Sequence, residues 1–247
     1  MLLNQEKILS NLCHPVTVRL YESVDSTNNE AKRRFDTGGF CLYATTHQTA
    51  GRGRRGHDFY SPKDTGLYMT LSLPLSDTPA NIQKRTCAAA VAVCEAITAL
   101  SDQRPLIKWV NDIYVDGKKV AGILTELLCD KDNQPAAVIV GIGLNLTTAH
   151  FPAEFAAKAG SLGDIEPNAL CGVITERLIE LYAHLDDNSV IEKYTNLNLC
   201  IGKTVSYTKD GTTHTAGAVT IAPDGGLIVE ENGLLTTLNS GEISVTL

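Results

Sequence analysis

The chain has 247 residues, 43% of them hydrophobic, and a formal charge of −7 from 28 acidic and 21 basic side chains. That length holds a large domain, or a large one and a small one, with an ample core, and the composition excludes disordered and collagen-like chains. A net acidic chain lacks the overall field that draws proteins onto nucleic acid or anionic membranes, so any polyanion site must be local.

Residues 1–12 carry Gln5, Glu6 and Lys7 where a signal peptide would run apolar. The apolar runs at 87–94 and 136–144 fall far short of the roughly 20 residues of a membrane helix. A soluble, cytoplasmic protein is expected. Its seven cysteines (Cys13, Cys41, Cys87, Cys94, Cys129, Cys171, Cys200) are odd in number and form no C-x-x-C pair, which suits reduced thiols better than disulfides or a zinc site. Cys87 and Cys94, two helical turns apart, read as core thiols.

Residues 16–21 (VTVRLY) alternate as a strand. Thr27 and Glu30 then fit a T-x-x-E capping box that starts a short helix reaching about Phe35. Residues 40–46 read as a buried strand that leads to the loop GRGRRG, Gly51 to Gly56, and residues 67–73 (LYMTLSL) alternate as another strand. The Ala-rich stretch 82–100 has neither Gly nor Pro and predicts a long helix on the sheet. Residues 106–110 and 113–115 read as strands, Asp116-Gly117 as a hairpin turn, and 118–128 as the return strand. In 136–146, Gly141 and Gly143 are two apart, which marks a central strand that something approaches closely. A helix is expected over 168–185 with Asn168 as its cap. From about Cys200 the turn signals Asp210-Gly211, Asp224-Gly225-Gly226, Asn232-Gly233 and Ser240-Gly241 imply five short strands, a small barrel. That barrel carries two lysines against five acids, a poor nucleic-acid binder. The division falls at 1–198 and 199–247.

The loop Gly51–Gly56 matches G-x-G-x-x-G, yet no helix opens after Gly56, and it lacks the Gly-Lys-Ser/Thr ending of a phosphate-binding P-loop. What remains is a flexible loop in which Arg52, Arg54 and Arg55 stand beside Gly51, Gly53 and Gly56, able to wrap a phosphate or a phosphate–carboxylate ligand. The plain alternative is a solvated turn. Lys108 alternates with apolar neighbours beside Trp109, the single Trp, and reads either as a site residue or as an outward edge lysine. Asn111 and Asp112 follow at the strand end; Asp112 and Glu126 are candidate Mg²⁺ ligands or ordinary surface charges. Ser26, Thr27 and Asn28 suit either a helix cap or a small polar ligand at a helix start. Gln48, three residues before the loop, can donate and accept. The six histidines show no hydrolytic or zinc-binding spacing.

Read in order, D-S-T-N (Asp25–Asn28), Q-T-A-G-R-G-R-R-G (Gln48–Gly56), K-W-V-N-D (Lys108–Asp112), K-V-A-G-I-L-T-E (Lys119–Glu126) and G-I-G-L-N (Gly141–Asn145) resemble the biotin protein ligases, the biotin–[acetyl-CoA-carboxylase] ligase family. S-G-E-I-S at 240–244 resembles the end of that family's C-terminal barrel, and the resemblance covers about 16–247. It implies an α+β fold: a mixed β-sheet catalytic domain packed with helices, followed by an SH3-like barrel. It also implies a ligase that makes biotinyl-5′-AMP and pyrophosphate from biotin and Mg²⁺-ATP, then passes the biotinyl group to a lysine of the biotin carboxyl carrier protein of acetyl-CoA carboxylase. On this resemblance Lys108 and Arg54 are the catalytic candidates. Ser26, Thr27, Asn28, Gln48, Gly51, Arg52, Gly53, Arg54, Lys108, Gly122 and Gly141 would bind biotin. Arg52, Arg54, Arg55, Asn111, Lys119 and Asn145 would bind nucleotide, and Asp112 would meet metal. Ile123, Leu124 and Gly143 would complete the apolar wall.

Three departures stand out. Val110 replaces the family's proline, a change expected to be neutral because the position need only continue a strand. Phe59 stands where relatives often carry a tryptophan and Leu238 where they often carry an aromatic, which puts adenine stacking from those positions in doubt. Only 24 residues precede D-S-T-N, fewer than the DNA-binding domain of bifunctional relatives needs, so neither DNA nor membrane is expected as a partner and no repressor activity is expected. Relatives also dimerise through a sheet edge, so a homodimer stays open. The alternatives are a lipoate–protein ligase and a non-catalytic biotin sensor.

Overall fold

The computed structural model describes residues 2–35, 39–75, 82–209, 211–241 and 243–245. Asp210 of the first barrel turn and Glu242 of the S-G-E-I-S stretch lie outside these. The largest sheet is built from β1 (Val16–Tyr21), β2 (Phe40–Thr45), β3 (Gly66–Pro74), β4 (Leu106–Lys108), β5 (Asp112–Val115), β6 (Lys118–Cys129) and β7 (Pro135–Asn145). Its spatial order is β1-β2-β3-β7-β6-β5-β4, with β1 parallel to β2 and every other pair antiparallel.

The period-2 geometry of strands divides this sheet into two unlike faces. On β7, Val138, Val140, Ile142 and Leu144 join the main core, as do Leu67, Met69, Leu71 and Leu73 of β3. They pack under α3 (Ile82–Leu100), which is itself covered by α5 (Pro167–Ala183) and α6 (Ser189–Asn196). Cys87 and Cys94 are buried there, and burial raises both thiols far above the ordinary thiol range. The opposite face carries Ala137, Ile139, Gly141 and Gly143 from β7. One end of it is covered by α2 (Thr27–Arg33), whose Ala31 packs with Tyr43, Leu128, Ala137 and Ile139.

Short helices α1 (Gln5–Leu9) and α4 (Ala153–Ala156) complete the set; α1, α4 and α6 lack the long periodic patterns that announce helices in sequence. The expected capping box is not formed: Ser26 is the N-cap residue of α2, and Glu30 turns instead to Arg33 and Arg34. Asn168 likewise does not cap α5. Glu166 does so, accepting from Ala169 N at 2.6 Å, while Asn168 is buried and holds Asn4 N at 2.7 Å.

The expected strand 106–110 ends at Lys108. Lys108 pairs with Asp112, so the chain reverses over Trp109, Val110 and Asn111, and the Trp109–Val110 peptide is cis. Val110 therefore occupies a turn and does not continue a strand.

After α6 come β8 (Thr204–Lys209), β9 (Thr212–Ile221), β10 (Leu227–Glu231), β11 (Leu234–Leu238) and β12 (Ile243–Val245), antiparallel in the order β11-β10-β9-β8-β12. These are the five short strands expected from the turn spacing. Among the described residues, β11 and β12 at the two ends form no ladder with each other, so the barrel is left open along that seam.

Candidate active site

The absence of side chains at Gly122, Gly141 and Gly143 turns the second face of the sheet into a floor. Along β6 and β7, Gly122 pairs with Gly143 and Leu124 with Gly141. A Cβ at 141 would stand 2.8 Å from Asn28 Cγ, and one at 143 would stand 2.6 Å from the Phe59 ring. Above this floor lies a cavity of about 440 Å³.

One end of the cavity is neutral and tightly hydrogen-bonded. Ser26, Thr27 and Asn28 at the start of α2 are all buried. Gln48 Oε1 accepts from Thr27 N at 2.8 Å and from Thr27 Oγ1 at 3.3 Å, while Gln48 Nε2 donates to Ser61 Oγ at 3.2 Å. Thr70 Oγ1 of β3 sits 2.8 Å from Thr27 Oγ1 and 2.6 Å from Asn28 Oδ1. Asn28 Nδ2 donates to Glu126 Oε2 at 2.8 Å, and Lys32 Nζ holds the other oxygen at 2.7 Å. Burial pushes the Glu126 carboxyl up, but Lys32 and Asn28 outweigh it and hold the group below the usual carboxylate range. Glu126 therefore supports Asn28, and it is not among the residues that line the cavity.

The other end is cationic. Arg54 Nη1 donates to Asn111 Oδ1 at 3.3 Å, and Asn111 is fixed in turn by Nδ2 donating to Ile123 O at 2.9 Å. Lys119 Nζ pairs with Asp112 Oδ1 at 2.7 Å. Lys108 Nζ stands 5.9 Å from the centre of the Tyr114 ring. The two ends are separated along β6 by the four steps from Gly122 to Glu126, about 13 Å of strand.

The glycine loop bridges the ends and is tied by its own backbone: Gly53 N donates to His57 O at 2.7 Å, Phe59 N to Gly51 O at 2.9 Å, and Arg52 pairs with Asp58 in an antiparallel backbone bridge. Arg55 lies in the left-handed region at φ +55° beside Gly56 at +79°. Arg52 Nη1 donates to Asn29 Oδ1 at 3.0 Å.

Of the residues singled out in the sequence, Ser26, Thr27, Asn28, Gln48, Arg52, Gly53, Arg54, Arg55, Lys108, Asn111, Asp112, Lys119, Gly122, Gly141 and Asn145 line this cavity, with Ile123, Leu124 and Gly143. Gly51 does not. It is buried beneath the loop, where a Cβ would strike Ser61 Oγ and approach Phe59 O to 2.5 Å, so its role is close packing. Sequence reading missed Tyr60, Phe151, Phe155, Lys158 and Ala159, which also line it, as do Gly241, Ile243 and Ser244 from the C-terminal sheet. Among the described residues the lining holds six Arg or Lys against two carboxylates, Asp58 and Asp112. In an acidic chain, that concentration makes the cavity an anion site.

Comparison with known proteins places the chain in a family. The model of the biotin/lipoate A/B protein ligase family matches residues 20–145, and that of the biotin protein ligase C terminal domain matches 200–245. The bifunctional ligase/repressor BirA of Escherichia coli is 26% identical over 99% of this chain and 78% of its own length. The biotin–[acetyl-CoA-carboxylase] ligase of Mycobacterium tuberculosis is 34% identical over 57% of this chain and 52% of its own. Biotin protein ligase from Aquifex aeolicus, solved with biotin and ATP, superposes with a TM-score of 0.79 at 26% identity, over 93% of this chain and 98% of that one. The chain belongs to the biotin/lipoate A/B protein ligase family, as a biotin protein ligase.

Proposed function

We propose that this cavity carries out both halves of protein biotinylation. In the first, a biotin carboxylate oxygen attacks the α-phosphorus of ATP; a new P–O bond forms, the α–β phosphoanhydride bond breaks, and pyrophosphate leaves. In the second, the ε-amine of a lysine on a biotin carboxyl carrier protein attacks the acyl carbon of biotinyl-5′-AMP. An amide forms, AMP departs, and the amine gives up a proton. The observation that carries the reading is one cavity with a neutral hydrogen-bonding end and a cationic end joined by a glycine floor.

The ureido ring of biotin needs neutral donors and acceptors, which Ser26, Thr27, Asn28 and Gln48 supply. Its apolar ring and chain need a close wall, which Gly122, Leu124, Gly141 and Gly143 provide. At the other end two anions must be brought together. Lys108, Arg54 and Arg55 place fixed positive charge where negative charge develops, Arg52 adds to it from the loop beside Asn29, and Asn111, Lys119 and Asn145 position the nucleotide. With Phe59 lying on Gly143, Phe151 and Phe155 at the rim offer the flat faces that adenine needs.

No three metal-ligating side chains converge among the described residues, and Asp112 already pairs with Lys119. Asp112 is the carboxylate beside the cationic end that would meet a Mg²⁺ bound to the ATP phosphates, an ion that needs few protein ligands. When bound it neutralises charge on the phosphate oxygens.

The test is pyrophosphate release from ATP with biotin or with lipoate, followed by the mass of a carrier domain. Release with biotin and a biotinyl mass increase on one carrier lysine are expected. Release with lipoate alone would sink the reading, and no mass increase would favour a sensor.

A further inference from the structure

Among the described residues Lys108 forms no ion pair with a carboxylate, and its Nζ stands 5.9 Å from the centre of the Tyr114 ring. Its ammonium is therefore placed by its backbone, at the end of a three-residue strand on the edge of the sheet. What steadies that edge comes from later in the chain. Ile107 N donates to Leu197 O, and Leu199 N donates to Ile107 O, both at 2.8 Å. Tyr194 OH donates to Val110 O at 2.8 Å.

The contact nearest to Lys108 reaches further still. Trp109, its immediate neighbour and 3% exposed, donates its indole N–H to Gly225 O at 3.0 Å. Gly225 belongs to the turn between β9 and β10 of the C-terminal sheet. It sits at φ +93°, and a Cβ there would stand 2.9 Å from Cys87 Sγ, so glycine lets this turn lie against α3. The same carbonyl also accepts from Gln83 Nε2 at 2.8 Å. Asp224, exposed at the tip, shapes the turn by accepting from Gly226 N at 3.0 Å.

We propose that the Gly225 carbonyl is a positioning group for Lys108, acting through the Trp109 indole N–H, so that the C-terminal sheet sets where the ammonium stands in the cavity. This rests on the adenylation role given to Lys108 above. Small displacements of a charge-stabilising group are costly in rate, because its benefit depends on where charge develops. Trp109→Phe removes the N–H and keeps most of the apolar body, while Gln83 still satisfies the carbonyl, so no buried acceptor is orphaned.

The experiment measures single-turnover pyrophosphate release at saturating biotin and ATP, with the KM for biotin, in the full chain. Trp109→Phe is expected to slow release about tenfold with the biotin KM within about twofold. Asp224→Ala, which loosens the turn from its exposed side, is expected to slow it about threefold and carries the comparison if the Phe variant does not fold. Both effects should vanish when Lys108 is already Ala, because a group that acts through Lys108 has nothing left to position. A wild-type rate for Trp109→Phe, or an equal fold-loss in both backgrounds, overturns the positioning role of Gly225 alone. A wild-type rate for Lys108→Ala by itself overturns the role of Lys108, and this proposal with it.

Discussion

At the scale of single residues, substitutions of two side chains test making the adenylate separately from keeping it. Lys108→Ala removes a fixed positive charge from the cationic end without opening the core, since its strand is held by Ile107 and its neighbours. Adenylate formation should fall by at least about tenfold, or about 1.4 kcal/mol of transition-state stabilisation, with an unchanged melting temperature. An unchanged rate in a pyrophosphate-release assay would take Lys108 out of the mechanism. Arg54 tests retention: its guanidinium ties the glycine loop to Asn111 at the cationic end. Arg54→Gly should loosen the loop's hold and let the mixed anhydride escape, so that lysines on bystander proteins become biotinylated. Mass spectrometry of a mixture of carrier and bystander proteins reads this directly, and labelling confined to the carrier would show that the loop does not retain the intermediate.

At the scale of elements, the alternation of β7 does two jobs at once. Its even-numbered residues build the core beneath α3, and its odd-numbered glycines clear the cavity floor. Gly141→Ala would keep the strand and put a methyl group onto the Asn28 carboxamide, whose other contacts, to Glu126 and Thr70, leave it little room to shift. The biotin KM should rise at least about tenfold while kcat changes less, because the neutral end is displaced and the cationic end is untouched. A titration of adenylate formation against biotin checks this; a fall in kcat at constant KM would place Asn28 away from biotin. Part of this site was readable from the chain, since Gly141 and Gly143 two apart announced a close approach. Thr70 left no signal of its own, being one of the polar positions of the alternating LYMTLSL strand, and it faces Thr27 and Asn28. The turn at Trp109–Asn111 could not be read, because LIKWV alternates like a strand and only the pairing of Lys108 with Asp112 shows where it reverses. Phe151, Phe155 and Lys158 were hidden for another reason: they follow β7 in a segment without periodicity, and their place at the rim depends on the fold around it.

At the scale of the whole molecule, local patterns indicated the mixed sheet, the long helix and the five C-terminal strands, whereas contacts that join distant parts of the chain left no trace in sequence. Gly225 looks like any turn glycine until Trp109 and Gln83 are seen to converge on its carbonyl. The carboxylates that tie the helices together are similarly long-range. Glu176 of α5 accepts from Cys13 N at 3.0 Å and meets His14 Nδ1 at 2.8 Å, securing the chain after α1. Glu126 holds α2 through Lys32 and Asn28, and Arg33 holds Asp25 far below the ordinary aspartate range. Burial works against ionisation of Glu126 and Glu176, yet their hydrogen-bond partners win and both stay below the usual glutamate range. A carboxyl depressed in the folded state contributes stability that is present above its unfolded value, near 4 for these groups, and is lost as pH falls through the folded value. The melting temperature should therefore vary little from these groups between about pH 6 and 8 and decline progressively below about pH 4.5. Glu126→Gln keeps the shape and an acceptor for Asn28 but removes the titrating charge, so its melting temperature should be lower at neutral pH and should approach that of the parent chain as the pH falls toward 3. Parallel thermal melts of the two proteins across that range measure the difference, and a gap that stays constant down to acid pH would show that the Glu126 charge adds nothing to the tie between α2 and the sheet.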